Sequence, residues 1–382
     1  MESKPKVNTI SLDEFQKKYP LSQLETSHPL FSKYTFSSEL LELIDRKIIL
    51  SQYNLEEIAN TKNFFILYEL IPTEHTALTL NDIVQLRIIK WIMSSCGCHC
   101  VIQIADEETF AYSKIKFSQI KKIALEKLSN VLSLLLGENP TAEQEGKIHV
   151  FFNREFRLQN NKYESLVSQY KMKVTYDTVK NLFKITDDDS VSKIDYPCYI
   201  GGASNGDLYT EYVPEITKDS TCLIIDQTNK MYRYMLCFDA SEKMKFKSPS
   251  VMLYKVIPQL TGTIGEDCFT DVEHSLVSSD EDKALRKKIM KHSLSGSRGN
   301  GSLEDHKKLG GDIDVDISCQ YLRFIDLDKK HLEENIEKFG KGELSCGEIK
   351  QVMYEQINAI FNEIRKNIKK EVDKYFIKLD KK

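Results

Sequence analysis

Short apolar runs separated by stretches of helical periodicity constrain this chain more than any other feature of its 382 residues. Phe64-Phe65-Ile66-Leu67-Tyr68, Cys100 to Ile104, Ile148-His149-Val150-Phe151-Phe152 and Cys222-Leu223-Ile224-Ile225 have the length and content of strands buried on both faces. Between them, Ile83 to Met93 and Phe117 to Leu136 carry apolar residues at helical spacing. This alternation predicts βαβ units, hence an α/β fold: a doubly wound parallel sheet with helices on both faces. Ligands on such sheets bind beyond the carboxyl ends of strands, so residues just after Tyr68, Ile104 and Ile225 should border the site.

A net charge of −4 argues against a broadly cationic coat for nucleic acid, and no DNA contact is expected, although a local basic patch has room to exist. No apolar run approaches the roughly 18–20 residues of a membrane span, and MESKPKVNTISLDEFQKKYP lacks the apolar core of a signal peptide. Nine cysteines then read as reduced thiols in a cytoplasmic protein. Three cluster in Cys96-Gly97-Cys98-His99-Cys100. Structural zinc ligands usually come as pairs spaced by about two to four residues, drawn from two places. Here the thiols alternate and lead into Val101-Ile102-Gln103-Ile104, so we read them as small hydrophobes entering a strand, with no metal.

The character changes near residue 281. Ser295 to Gly301 is a flexible connector and Gly310-Gly311-Asp312 a turn. Ser345 with Glu348 opens a helix through a capping box. Its apolar stripe runs through Ile349, Val352, Met353, Ile357, Ile360, Phe361, Ile364 and Ile368, opposite Arg365, Lys366, Lys369, Lys370 and Lys374.

In this C-terminal third, HSLSGSR (292–298), SLEDH (302–306), GGDIDVDIS (310–318), YLRFI (321–325) and GKGELSCGEIK (340–350) follow one another in an order that resembles the eukaryotic type of tryptophanyl-tRNA synthetase. FILYE (65–69), KW (90–91), VIQIADEE (101–108), ITDDDSVSKIDYP (185–197) and LIIDQ (223–227) continue the match upstream, so it covers nearly the whole chain from about residue 25. The resemblance implies a class I Rossmann-like domain over 1–272 and an α-helical anticodon-binding domain over 273–371, with 372–382 packing back on the first, in a homodimer. For an intact member it implies ATP-dependent activation of tryptophan and transfer to tRNA(Trp).

Two phosphate-handling motifs carry that chemistry in the family, and neither is intact here. Counted without gaps, H-[IV]-G-H falls on Thr79-Leu80-Asn81-Asp82, which lacks both histidines and the glycine and adds a negative charge. The approach that is glycine-rich in the family is Glu69-Leu70-Ile71-Pro72. The mobile K-M-S-x-S loop falls on Glu266-Asp267-Cys268-Phe269-Thr270, where a lysine has become glutamate. KMKFKS (243–248) resembles that loop but lies about twenty residues too early, before the strand-forming segment Val251 to Ile257. One lost preorganised donor typically costs about 2.7–4 kcal/mol of transition-state stabilisation, so two failed motifs predict negligible activation and no bound ATP cosubstrate.

Other family positions are better kept. Tyr68, Gln103, Glu108 and Gln227 match residues that orient the amino group and indole nitrogen of tryptophan, but Ile200 stands where a further glutamine is expected and Thr228 ends the family's D-Q-D. Lys350 matches the lysine of G-E-L-K that contributes to anticodon recognition, and Arg298 the arginine of S-G-G-R. Arg365, Lys366 and Lys369 are candidate phosphate contacts. Asp314 and Asp316 match D-V-D, where carboxylates more readily brace helices than touch RNA. The expected function is therefore a homologue that binds tRNA(Trp) without activating tryptophan. The alternatives are a working ligase with substitute residues, or an interaction or ligand-sensing scaffold that binds no tRNA.

Overall fold

The structure, a computed structural model, describes residues 12–113, 115–263 and 274–379. Its centre is a seven-stranded sheet: β1 (Ser22–Gln23), β2 (Ile49–Tyr53), β3 (Phe64–Leu70), β4 (His99–Ile104), β5 (Ile148–Phe152), β6 (Thr221–Gln227) and β7 (Ser250–Tyr254), in the spatial order β1-β2-β7-β6-β3-β4-β5. The strands β7, β6, β3, β4 and β5 are parallel, as the apolar runs predict, whereas β1 and β2 add antiparallel at one edge. The chain order reverses beside β3, where β6 lies on one side and β4 on the other, and their carboxyl ends form the crevice such sheets use.

Alternation along the strands divides the core in two. Ile66, Tyr68, Leu70, Ile102, Ile104, Leu223 and Ile225 face α1 (Leu80–Cys96) and α2 (Phe117–Leu136). Phe65, Leu67, Val101, Phe151, Cys222 and Ile224 share the other core with α3 (Asn161–Lys173), α4 (Pro197–Ala203) and α5 (Tyr232–Met244). Cys98 and Cys100 are buried apolar residues of β4 and its approach, and among the described residues no cluster of metal-ligating side chains occurs.

The C-terminal helices α6 (Asp282–His292), α7 (Ile317–Ile325) and α8 (Cys346–Lys366) do not build a separate core: Ile317, Leu322, Ile349, Ile357 and Phe361 join the first core. Polar ties cross the seam as well, with Tyr321 Oη donating to Pro258 O at 2.6 Å and Ser133 Oγ to Ile364 O at 2.8 Å. The GGDIDVDIS segment has a packing reason. A Cβ on Gly310, whose φ is +71°, would stand 1.8 Å from Gly340 O. Fully buried Asp316 is the N-cap of α7, accepting from Ser318 N at 2.8 Å, Cys319 N at 3.1 Å and Gly296 N at 3.0 Å. Asp314 pairs with Arg323 at 2.9 Å. Beyond α8 the tail returns to the sheet: Phe376 bridges to Val150 of edge strand β5, Ile377 N donates to Val150 O at 2.9 Å, and Phe376 stacks on Phe152.

Candidate functional site

At the carboxyl end of β3 the chain must enter α1, whose first amides point into the crevice and would attract an anion. Here a capping box engages two of the amides at this end, those of Thr79 and Asp82. Thr79 is the N-cap, its hydroxyl accepting from Asp82 N at 3.2 Å, while the Asp82 carboxylate accepts from Thr79 N at 2.9 Å and Thr79 Oγ1 at 3.0 Å. Lys127 of α2 brings a buried ammonium to within 3.7 Å of the same carboxylate. Asp82 therefore folds back on its own helix rather than projecting toward a ligand. Asn81 Oδ1 accepts from Ile257 N at 3.3 Å, and Leu80 is buried. The segment after residue 273 closes over this end: Ser278 exchanges hydrogen bonds with Leu78, and Val277 bridges to Thr79.

The four residues matched to a tryptophan pocket are all buried, and the sheet separates them. Tyr68 packs in the core under α1, on the side of Tyr254, beside which Gln227 pairs in register. Gln103 pairs in register with Glu69 and points to the other face, where its amide donates to Asn153 Oδ1 at 2.8 Å and Tyr163 Oη at 3.1 Å. Its Oε1 is buried with no protein partner.

Glu108 belongs to that second face through a residue that sequence reasoning missed. Arg233, in the first turn of α5 just past β6, grips Glu108 with two parallel bonds: Nη1 to Oε1 at 2.9 Å and Nη2 to Oε2 at 3.0 Å. Nη2 also reaches Glu69 Oε2 at 2.5 Å and contacts the Tyr196 hydroxyl, which in turn donates to Glu69 Oε1 at 2.9 Å. Arg233 is 6% exposed and Glu108 8%. Two carboxylates against one guanidinium leave a surplus negative charge in a dry place. Desolvation, with Glu108 adding to it, pushes the Glu69 carboxyl up to about 7.

KMKFKS lies at the wrong end of the sheet. Lys243, in the last turn of α5, pairs with Asp239 at 2.5 Å, Lys245 is its left-handed cap with φ 57°, and Lys247 donates to Asp219 O at 2.6 Å. These residues lead into the amino end of β7, a strand's length of about 17 Å from the crevice. Glu266-Asp267-Cys268-Phe269-Thr270 lies outside the described residues.

The basic residues assigned to RNA are engaged to different degrees. Lys350, on α8, is 9% exposed; desolvation pulls its pKa below the ordinary lysine value, with Asp316 opposing. Arg365 donates to Ser278 O at 2.8 Å and Asp280 O at 2.9 Å, Lys369 to Gly137 O at 2.6 Å, and Lys366 pairs with Glu138 at 3.3 Å. Arg298 is exposed and donates to Leu309 O at 3.3 Å.

No family model matches the chain. It is 24% identical over 329 residues to the cytoplasmic tryptophan–tRNA ligase of Homo sapiens, covering 85% of this chain and 67% of that protein, so it spans about two thirds of the relative's length. Among solved structures it superposes on tryptophanyl-tRNA synthetase from Plasmodium falciparum with a TM-score of 0.80 at 22% identity, covering 95% of each chain. A tryptophanyl-tRNA synthetase homolog from Entamoeba histolytica superposes at 0.81 and 19% identity, covering 97% of this chain and 96% of that one. By sequence along most of its length, and by fold, the chain is a homologue of the tryptophanyl-tRNA synthetases.

Proposed function

We propose that this protein binds tRNA(Trp) through its C-terminal helices and has lost the ability to activate tryptophan with ATP. The observation that carries the loss is the self-capped start of α1: Thr79 and Asp82 cap each other's amides where the family's phosphate-binding motif stands, and the Asp82 carboxylate places an anion at the helix start. ATP–pyrophosphate exchange with tryptophan tests it directly; exchange above background sinks the pseudoenzyme reading. On the RNA side, Lys350 and Arg298 supply the cations. Lys350→Ala is expected to lower tRNA(Trp) affinity about fivefold or more and to weaken discrimination against an anticodon mutant, in a filter-binding titration at fixed salt. Unchanged affinity and discrimination would remove the tRNA reading.

A second reading, a scaffold that binds no tRNA, is favoured by one observation: Arg365 and Lys369 spend their donors on carbonyls within the protein. The same titration decides between the two. A homodimer fits the exposed Phe110, Tyr112, Leu158 and Val191 on short helices at one side of the second core, and sedimentation equilibrium measures it.

A further inference from the structure

We propose that Arg233 is an internal ligand, occupying the cation-binding half of the former amino-acid pocket and excluding free amino acids from it. This rests on the reading of Glu108 as the carboxylate that receives a tryptophan ammonium in active relatives. An ammonium offers three donors to such a site, and a guanidinium satisfies the same acceptors with a flat fork. Arg233 supplies that fork: Nη1 and Nη2 donate to the two Glu108 oxygens, and Nη2 also donates to one Glu69 oxygen and lies against the Tyr196 hydroxyl. The guanidinium carbon also lies 5.4 Å from the centroid of the Tyr196 ring, which adds a cation–π contact.

Position strengthens the argument. Arg233 sits in the first turn of the helix that follows β6, so its side chain is held at the crevice by the fold rather than by a loop. Glu69 is the second change. A carboxylate at the end of β3 gives the guanidinium a second counter-charge, so the arginine is held from both sides. A free ammonium entering this place would have to displace a tethered cation that pays no translational entropy to stay. The consequence is a specificity switch from tryptophan to no amino acid at all. If the arginine is removed, the Glu69–Glu108 pair becomes a site for a small organic cation, either a guanidinium or a primary amine.

The experiment compares wild type with Arg233→Ala by thermal shift and calorimetry, using methylguanidinium, tryptamine and tryptophan as probes. Arg233→Ala should melt lower and be rescued saturably by methylguanidinium, and its affinity for that cation should exceed wild type's by about tenfold or more. Adding Glu108→Gln to Arg233→Ala should abolish the gain. Failure of every cation to bind the folded Arg233→Ala protein overturns the proposal. Should that variant not fold even with the cation present, the wild type carries the test. Its melting temperature should not respond to any of the three probes at about 10 mM. A saturable response to tryptophan without pyrophosphate exchange overturns this inference alone, whereas exchange by the wild type overturns the proposed function and this inference together.

Discussion

Glu69 illustrates how one side chain sets a pH response. Its carboxyl, raised from an ordinary 4.5 to about 7 by desolvation, binds its proton more tightly in the folded state than in the unfolded one. Its contribution to stability is therefore complete below about 4.5 and is lost as pH climbs through 7. Glu69→Gln cannot titrate, so wild type should lose melting temperature relative to the variant between pH 4.5 and 7, superimposed on a constant offset from the lost Arg233 bond. A difference that stays flat across that window would contradict the assignment. None of this was legible from the sequence. Glu69 stood out only as a residue where a glycine-rich approach was expected, and an arginine more than a hundred positions away gave no local sign that it would be the partner. The partner is chosen by topology, because the parallel order brings the first turn after β6 beside the end of β3.

At the scale of elements, the four apolar runs became β3 to β6 because a strand buried on both faces must be apolar at nearly every position, which leaves a dense local signal. β1 and β2 left little: one is two residues long, and the other carries Ser51 and Gln52 at buried positions. The start of α1 shows the limit of register counting. It located Thr79 to Asp82, but a capping box and an anion in a phosphate site read alike until the carboxylate is seen to turn back on Thr79. The same contrast applies to the α7 cap, where the sequence suggested bracing and Asp316 is found serving three backbone amides. Asp316→Ala should therefore cost about 2 kcal/mol or more, above an ordinary exposed cap, because buried donors lose their acceptor. Urea denaturation measures it, and a loss below about 0.5 kcal/mol would mean that water replaces the carboxylate.

Across the whole molecule, the C-terminal helices and the sheet share one core, so a change in one should be felt by the other. Arg365 ties the end of α8 to the segment before α6, and Lys369 just beyond α8 donates to Gly137 O of the sheet domain, contacts a helical-wheel view cannot anticipate because it is blind to what lies opposite. The tail adds a further link. Phe376→Ala removes the ring stacked on Phe152 and should lower stability by about 1–2 kcal/mol, read by chemical denaturation as a single shifted transition. Two separate transitions would contradict a common core.

That tail has a consequence for synthesis. The backbone edge of β5 is covered by residues around Phe376, more than two hundred positions later in the chain. At a ribosomal pace of about 5–20 residues per second, this outer strand waits roughly ten to forty-five seconds after its own synthesis for its cover. An uncovered strand edge is a template for pairing with a neighbour. Nascent chains stalled or truncated before Phe376 would thus present an adhesive border that the finished protein conceals.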